Sequence, residues 1–484
     1  MAKVPRYADL TASLKEVVPV HNYINSIDST QSPFLRVAPW NRLKTTLIQF
    51  FLRRLEVIIN KQLLVENTEH ELNAFSKSAR NFLTYLLANK YVYNWDCGIQ
   101  NQYLKECYVC SIYSNQVLSK NGEELVPRGA FAGHGAASVL TDALLVAEAE
   151  FVERYSVCWW DKRYLTYGTI SQFKKKKFAY YIHNYFSDEP LDESLSIGWL
   201  PTRDLLTGKK VYTPASYHYL WYYQHNPYEP YLIDVSTNGV AASTDKAEAL
   251  VKAILEKFER DGLLYYWLTK QSPTKIDLSD CELEHVRMWL ANLEAQNYEV
   301  HLLDCTVEYD VPVFVMVLID KFTNGVAFNA AAGFSIDAIL EKLFFDTMRF
   351  DSDSWRHAAP SSIRTINDRE ILWSGGHVER QVYDFFLNGP QKNYSSYRVK
   401  TPSRLSSHRQ LAMLKRIAAK KELKIYWNQY KNDLTRYSGL KVVRAIIPDL
   451  IPVYFNESFP HLNNKRLQTK VHKGHLNKHP HPFL

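Results

Sequence analysis

The sequence predicts a mixed α+β fold in which helices and strands alternate along the chain. The 484 residues are 46% hydrophobic and 23% charged, which is typical of a globular chain with a sizeable core. Helical stretches are predicted at about 138–160, 244–269, 335–350 and 407–422. Strand-like runs lie between them, at 231–237, 299–307, 311–320 and 441–448. This α/β alternation is typical of layered folds, and the length allows two or three domains.

The N-terminal region is predicted to be smaller and mainly helical. Apolar residues recur at helical spacing from Asn41 to about Leu64, and a second helical stretch runs from about Glu69 to Asn89. The run YVYNW (91–95) reads as a strand. A segment rich in glycine and proline, 121–135, is the strongest break in the first third of the chain. The predicted organisation is an N-terminal region, a main domain and a tail, at 1–125, 126–464 and 465–484.

Composition favours a cytoplasmic protein without a membrane span. No apolar run approaches the roughly 18 residues that a span needs, and the first residues lack a secretory signal. Six cysteines are too sparse for a disulfide framework, which fits a reducing compartment. The motif Cys107-x-x-Cys110 stands alone, so a structural or incidental pair is favoured over a zinc site. The net charge of +7 indicates a slightly basic solvated surface, and no nucleic-acid partner is expected.

Two segments repeat the charged pattern ExxER, at Glu150–Arg154 and Glu256–Arg260. Residues i and i+3 lie on one face of a helix, so each segment presents two carboxylates side by side. The first segment lies in ALLVAEAEFV (143–152), which is apolar nearly all round and is therefore predicted to be buried. Carboxylates buried without a cation are costly. The repeat therefore indicates a function rather than a solvated surface.

Carboxylates that converge in one pocket favour a hard cation. Mg²⁺ is the natural choice because it accepts carboxylates and also bridges substrate phosphates. On the second helix, Glu248 falls on the same face as Glu256 and Glu259, two turns before Glu256. The arginine of each repeat would hold phosphate oxygens or orient the glutamates. An alternative stays open at this point, namely helix-surface salt bridges such as Glu248 with Lys252.

Each of these helices follows a turn that contains glycine, at 133–135 and at 236–239. Glycine lets the backbone approach a ligand closely. Neither turn is a Walker A motif, and the Rossmann fingerprint does not occur either. A P-loop ATPase and a Rossmann enzyme are therefore unsupported.

The two helices with their turns resemble the ATP-site segments of the YcaO family. The matching segments are GHG (133–135), ALLVAEAEFVERYS (143–156) and STNGVAASTDKAEALVKAILEKFERDG (236–262). The resemblance runs from about residue 128 to the end and implies a YcaO-type ATP-binding catalytic domain that uses ATP and Mg²⁺. The implied metal ligands are Glu150, Glu153, Glu256, Glu259 and Asp346. The implied nucleotide-binding residues are Ser236, Asn238, Glu248, Arg154, Arg260 and Lys342.

The sequence departs from the family pattern in three places. Val146 stands where a serine is usual, and His134 stands where the glycine turn usually carries lysine. The third region, AAGFSIDAILEKLFFDTMRF (331–350), should supply a basic residue and a carboxylate. Lys342, Asp346 and Arg349 fit that requirement after a register shift.

The C-terminal segments resemble those of azoline-forming cyclodehydratases, which act in the biosynthesis of thiazole/oxazole-modified microcins and related bacteriocins. These segments are VVRAIIPDLIPVYFN (442–456) and HPHPFL (479–484). Such enzymes end in a PxPxP tail that reaches the active site. The resemblance implies catalytic-site roles for Pro480, Pro482 and the terminal Leu484, which replaces the last proline. A disordered basic tail is the alternative.

The resemblance implies an antibiotic-type heterocyclase reaction on a ribosomal precursor peptide. ATP would phosphorylate a backbone amide, and thiazoline or oxazoline rings would form from Cys, Ser or Thr. Implied partners are the precursor peptide, a ThiF-like protein that brings the leader peptide, and a flavin dehydrogenase in the same complex. Two alternatives remain: a YcaO enzyme that forms thioamides, and a nucleotide-binding scaffold without turnover.

Overall fold

The computed structural model describes residues 76–99, 108–178, 180–186, 189–347, 357–398, 405–470 and 476–483. The predicted helix at 41–64 lies outside these ranges, as do Cys107, Arg349 and Leu484.

The helices confirm the sequence prediction closely. The predicted stretches at 138–160, 244–269, 335–350 and 407–422 correspond to the second, fifth, seventh and eleventh helices below. The bounds are α1 Lys77–Ala88, α2 Leu140–Cys158, α3 Ile170–Lys175, α4 Tyr222–His225, α5 Lys246–Leu268, α6 Glu284–Ala295, α7 Ile336–Thr347, α8 Ile366–Ser374, α9 Asp384–Leu387, α10 Ser395–Arg398, α11 Ser407–Lys420, α12 Asp433–Ser438 and α13 Lys465–Lys470. None of these helices combines the length and the apolar character that a membrane span requires.

The strands confirm three of the four predicted runs. Their bounds are β1 Val92–Ile99, β2 Tyr108–Ser114, β3 Val117–Leu118, β4 Glu124–Val126, β5 Ala132–Ala137, β6 Thr166–Thr169, β7 Ser196–Asp204, β8 Lys210–Pro214, β9 Val240–Ser243, β10 Thr274–Asp277, β11 Tyr298–Asp304, β12 Val313–Asp320, β13 Val326–Ala332, β14 Gln391–Asn393, β15 Tyr426–Tyr430 and β16 Lys441–Ile446.

The strand predicted at 231–237 is wrong, because this segment is irregular. Its polar groups bond outside any ladder. The Leu232 amide donates to the Tyr223 hydroxyl at 2.9 Å, and the Asp234 amide donates to His461 Nε2 at 2.9 Å. Backbone groups that are satisfied in this way need no neighbouring strand.

Helix α5 lies between two sheets. The first has the strand order β13-β12-β11-β10-β14, antiparallel except for the last pair. The second has the order β6-β7-β15-β16-β9, with β8 also paired to β7. Helix α5 packs on β12 and β13 of the first sheet and on β9 and β16 of the second. Most of its side chains are therefore buried, and its polar positions are held in fixed surroundings.

The chain divides into two compact units. One contains residues up to Asn115 together with His134–Glu148, and the other contains 116–133 and 149–484. In the first unit, a disulfide joins Cys97 of β1 to Cys110 of β2, at positions that face each other across the two strands. The sequence analysis did not predict this bond, in which Cys110 of the CxxC motif pairs with Cys97. The domain boundaries at 125 and 464 stay predictions.

Candidate functional site

The turn before β9 is fixed to helix α5 through Glu256. The Gly239 amide donates to Glu256 Oε2 at 2.9 Å, and Arg260 Nη2 donates to Glu256 Oε1 at 3.2 Å. Gly239 has a φ of +77°, and a Cβ at this position would lie 2.3 Å from Lys257 Cε and 2.9 Å from the Ala445 carbonyl oxygen. Only glycine fits such a left-handed position against a helix. The backbone of the turn thus approaches the ExxER segment closely.

Helix α2 carries the other ExxER segment. Arg154 Nη2 donates to Glu150 Oε1 at 2.8 Å, one helical turn away, and Nη1 donates to the Ala132 carbonyl oxygen at 2.7 Å. The Glu150 and Arg154 side chains are 22% and 28% exposed. The guanidinium is therefore fixed in direction while part of it remains accessible to a ligand.

Glu153 of the first repeat interacts electrostatically with Glu256 of the second repeat. Burial raises the pKa of this carboxyl well above its ordinary value, and repulsion from Glu256 and Glu150 raises it further. Arg154 and a backbone hydrogen bond at Ala242 act in the opposite direction without cancelling the rise. Because these carboxylates repel one another, a cation bound near them would lower the energy of the ionised state.

The third region contributes Lys342 of α7. Its Nζ lies 2.6 Å from Glu259 Oε1, which also accepts from the Ala332 amide at 3.1 Å. Burial lowers the pKa of Lys342, but the charges of Glu259 and Asp346 outweigh this, so its pKa is raised. The positively charged ammonium group of Lys342, one of the residues identified after a register shift, therefore lies beside Glu259 of the second ExxER segment.

Glu248 has different surroundings. Its Oε1 lies 2.6 Å from Lys252 Nζ, and its Oε2 accepts from the Ser243 hydroxyl at 2.8 Å. The hydrogen bond from Lys252 holds the pKa of this carboxyl below its ordinary value. The side chains of Glu248 and Lys252 are 38% and 57% exposed. The salt-bridge alternative raised in the sequence analysis thus describes the arrangement of this residue.

The turn residues Ser236 and Asn238 lie beside Gly239. The Asn238 amide donates to the Ser236 hydroxyl at 3.2 Å, and Arg444 donates to the Ser236 carbonyl oxygen. Asn238 is 6% exposed, and its Oδ1 is a buried acceptor without a partner in the described part of the chain. Arg260 Nε is likewise a buried donor without a partner there. Unpaired buried polar atoms are uncommon in folded proteins and often mark the place of a ligand.

The C-terminal segment enters the same region. Helix α13 covers the start of the predicted tail, and residues 481–483 are buried. Pro480 is half-buried and Pro482 is buried. The Phe483 ring centroid lies 3.6 Å from Arg260 Cζ, which is close enough for a cation–π contact. Disorder of the described tail residues is therefore not observed, although Leu484 itself lies outside the described ranges.

The donor set fits Mg²⁺ bound together with a phosphorylated ligand. Within the described residues, no three Asp, Glu, His or Cys side chains form a group that could hold a metal ion. In the described part of the chain, Glu248 and Glu259 instead form ion pairs with Lys252 and Lys342. Mg²⁺, however, usually takes one or two carboxylates and completes its shell with phosphate and water. Glu153 and Glu256, which repel each other electrostatically, would supply two such carboxylates.

Sequence reasoning missed two residues that contact the site or its tail. Arg369 is fully buried and donates to the His481 carbonyl oxygen at 2.6 Å, but it belongs to no motif. Phe483 lies in the predicted tail, but the tail motif is defined by its prolines and does not mark this residue. An arginine in the otherwise unremarkable segment INDREILWS gives no local signal.

A family model matches this region. The model, described as YcaO cyclodehydratase with ATP and Mg²⁺ binding, matches residues 133–451, which is more than half of the 484 residues. The matched range contains both ExxER helices and Lys342. No curated protein matches the sequence significantly.

Solved structures share the fold. One, described as a heterocyclase in complex with substrate and cofactor, has a TM-score of 0.65 and 16% identity, over 84% of this chain and 57% of that chain. YcaO from Methanopyrus kandleri, bound with AMPPCP and Mg²⁺, has a TM-score of 0.54 and 17% identity, over 77% and 91%. The E. coli microcin synthetase McbBCD complex with pro-MccB17 bound has a TM-score of 0.53 and 14% identity, over 78% and 93%. The chain thus spans just over half of the first heterocyclase.

Proposed function

Because this chain belongs to the YcaO family, we propose that it is an ATP- and Mg²⁺-dependent cyclodehydratase. Its substrate would be a ribosomal precursor peptide, and its products would be thiazoline or oxazoline rings. The observation that carries this proposal is the set of contacts around the second ExxER segment, in which Glu256 accepts from the Gly239 amide and from Arg260, and Glu259 accepts from Lys342. These contacts join the glycine turn, α5 and α7 inside the range that the family model matches.

The proposed reaction uses ATP to remove an amide oxygen. The side-chain sulfur or oxygen of a Cys, Ser or Thr attacks the preceding backbone carbonyl carbon, and its proton passes to a base. The resulting oxyanion takes the γ-phosphoryl group of ATP, which leaves as ADP. The C–O bond then breaks, phosphate departs, and the amide nitrogen loses its proton to give the C=N bond of the ring. The net loss from the peptide is one water.

The residues of the chain supply binding and electrostatic positioning. Glu153 and Glu256 would hold Mg²⁺, which when bound neutralises phosphate charge. Arg154 and Arg260 each keep one contact to a glutamate and offer their remaining donors to phosphate oxygens. The free Asn238 Oδ1 offers an acceptor to a hydroxyl or amino group of the nucleotide. Fixed charges aimed in this way stabilise a phosphoryl-transfer transition state without reorganising.

The outer residues would complete the site. Glu150 orients Arg154, and Glu259 orients Lys342, with Asp346 adding negative charge beside the lysine. Ser236 and Glu248 would support the turn and the start of α5. Supporting contacts of this kind hold ligand-binding groups in a productive direction.

The tail would belong to the catalytic site. Phe483 lies against Arg260, the proposed phosphate-binding arginine. Proline at 480 and 482 restricts the backbone to an extended shape, which lowers the entropy lost on ordering. We propose that the α-carboxylate of Leu484 acts in the site as a fixed charge or proton acceptor.

Partner proteins are part of the proposal. The solved McbBCD complex carries a bound pro-peptide, and this chain shares its fold. We propose that a ThiF-like protein presents the leader peptide to this chain and that a flavin dehydrogenase oxidises the rings. Co-purification of this chain with each candidate would test the assembly, and the absence of any stable or transient complex would contradict it.

The decisive test is Glu256→Gln. The substitution removes the charge that would bind Mg²⁺ but keeps an acceptor for the Gly239 amide. We expect binding of Mg·AMPPCP and turnover of Mg·ATP to fall by about a hundredfold, as when a single fixed transition-state contact is removed. Calorimetry and a phosphate-release assay measure the two quantities.

The matched control is Glu193→Gln. Glu193 forms an exposed ion pair with Lys174 at 2.9 Å, and such pairs contribute under about 1 kcal/mol. This variant should keep wild-type nucleotide binding. Equal activity of both variants would contradict the metal assignment.

The product separates the proposed reaction from its alternative. Mass spectrometry of the treated precursor should show the loss of one water per ring. Exchange of oxygen for sulfur would instead indicate thioamide formation, and nucleotide binding without turnover would indicate a scaffold.

A further inference from the structure

Arg369 of α8 is a buried guanidinium that binds several carbonyl groups at once. It is 0% exposed. Nη1 donates to the His481 carbonyl oxygen at 2.6 Å and lies 2.8 Å from a Glu457 carboxylate oxygen. Nη2 donates to the Phe455 carbonyl oxygen at 2.9 Å. One planar side chain therefore ties the C-terminal segment to the loop after β16.

Further contacts fix the tail in one register. The Asn477 amide donates to the carbonyl oxygen of Leu268 at 2.8 Å, at the end of α5. The carbonyl oxygen of His479, two residues after Asn477, accepts a hydrogen bond from Trp267 Nε1 at 3.2 Å. Phe483 then forms an isolated bridge with Phe328 of β13. A slip of one residue along this path would break each of these bonds.

We call the bonds from Arg369 to the carbonyl oxygens of His481 and Phe455 the clamp. His481 connects this clamp to Phe483. Its Nε2 lies 2.6 Å from the Tyr454 carbonyl oxygen, and its Nδ1 accepts from the Phe483 amide at 3.3 Å. These two contacts assign a neutral ring with its proton on Nε2. Burial agrees, because it lowers the pKa of His481 well below the ordinary value. The hydrogen bond to the imidazole thus fixes the position of the Phe483 backbone amide.

Phe483 in turn covers Arg260. Its ring lies against the guanidinium at 3.6 Å, while Arg260 Nη2 donates to Glu256. An arginine held between a carboxylate and an aromatic face loses rotamer freedom and is shielded from water on one side. The remaining donors, including the unpaired Nε, then point in a fixed direction.

We propose that Arg369 is a positioning residue, which sets the direction of Arg260 through His481 and Phe483. The inference rests on the proposed function only for its last step, in which Arg260 receives a nucleotide phosphate. Arg369 itself does not touch the reacting groups. Its contribution is to fix the segment that contains His481 and Phe483 against Arg260.

Arg369→Lys tests the clamp directly. Lysine keeps the charge beside Glu457, but its donors radiate from a single nitrogen and cannot span the carbonyls of Phe455 and His481. Release of Leu484 and Phe483 by carboxypeptidase should accelerate about tenfold or more, because charge-assisted hydrogen bonds are lost. Arg380→Lys is the matched control, since Arg380 forms exposed ion pairs with Glu299 and Asp384. An unchanged release rate in Arg369→Lys would overturn the clamp.

Trp267→Phe gives a second route if the lysine variant folds poorly. It removes the hydrogen bond to the His479 carbonyl oxygen and keeps an aromatic ring in the core. A faster release rate than in wild type, smaller than in Arg369→Lys, is expected. No acceleration in this variant would contradict a fixed tail register.

Nucleotide binding tests the step to Arg260. In Arg369→Lys the Kd for Mg·AMPPCP should rise about tenfold or more, because a small misplacement of a binding group is costly. In a protein that lacks His479–Leu484, the same substitution should cause no further change, since both act through one path. Faster tail release with an unchanged Kd would overturn the role in positioning Arg260. Failure of the wild type to bind Mg·AMPPCP would instead contradict the proposed function, while the protease result would still report on the clamp.

Discussion

Two glutamates of α2, Glu148 and Glu153, differ in what surrounds them. Burial raises the pKa of both Glu148 and Glu153, the former to about 9. At Glu153, neighbouring carboxylates add to the effect, so a cation would relieve it. At Glu148 no other charge contributes, and only a backbone hydrogen bond at Leu83 opposes burial. Glu148 is therefore a neutral acid in an apolar setting, and Glu153 is the residue suited to a metal.

Glu148 predicts a pH dependence for the first unit. Its pKa is about 9 in the folded chain, against an ordinary value of 4.5, so the folded state keeps a proton that the unfolded state releases. The free energy of unfolding should fall between about pH 4.5 and pH 9, by up to about 1.4 kcal/mol per pH unit. Glu148→Gln should remove this slope and stabilise the unit at neutral pH.

Hydrogen exchange in α1 and the first half of α2, corrected for the intrinsic effect of pH, measures the dependence. Asp142→Asn is the control, because Asp142 is an exposed carboxylate on the same helix. A slope that persists in Glu148→Gln would contradict the assignment.

At the scale of elements, the turn before β9 and helix α5 act as one unit. The turn presents Ser236 and Asn238, and its glycine amide bonds to Glu256. The close approach depends on the absence of a side chain at Gly239, where a Cβ would meet Lys257 of the helix. The geometry of the turn and the direction of the Glu256 carboxylate are therefore coupled.

Gly239→Ala should disturb both. Alanine at positive φ costs about 1 kcal/mol, and the clash with Lys257 and the Ala445 carbonyl oxygen adds to this. We expect a loss of stability above that cost, together with weaker binding of Mg·AMPPCP. Gly208→Ala separates the two contributions, since Gly208 has a φ of +69° and nothing within 4 Å of the added Cβ. Equal effects of both substitutions, measured by urea unfolding and calorimetry, would rule out the coupling.

At the scale of the whole molecule, the proposed site is assembled from distant parts of the chain. Glu153, Glu256, Lys342 and Phe483 belong to three helices and the C-terminal segment. Helix α5 contacts two of the other parts, through Glu259 with Lys342 and Arg260 with Phe483, and its Glu256 repels Glu153 electrostatically. The order of this arrangement therefore depends on segment 476–483 being in place.

Deletion of His479–Leu484 should abolish ring formation. The deletion removes the buried His481 and Phe483 and uncovers Arg260 and Arg369, so some loss of stability is expected as well. A short C-terminal tag on the full chain tests the terminal carboxylate without removing any side chain, and it should also reduce ring formation. Mass spectrometry of the precursor measures the loss of water. Full dehydration by both proteins would contradict a role of the tail.

Local patterns determined much of the secondary structure and one part of the site. The spacing of apolar residues at the helical period of 3.6 predicted α2, α5, α7 and α11, because helix formation depends on neighbours within a few residues. The duplicated ExxER segments marked the two carboxylate helices for the same reason. The run 231–237 has strand-like residues, but its polar groups found partners elsewhere.

Only the tertiary structure decided which of these residues meet. Glu248 and Glu256 are both glutamates of the same helix, yet Glu248 pairs with exposed Lys252, whereas Glu256 accepts from Arg260 and from the Gly239 amide. The contacts of Lys342 with Glu259, Arg369 with His481, and Phe483 with Arg260 join residues 83, 112 and 223 positions apart. Such contacts depend on how the sheets pack around α5, and no periodicity or motif within the sequence encodes them. The sequence by itself determined the helices and the chemistry they carry, whereas packing determined their partners.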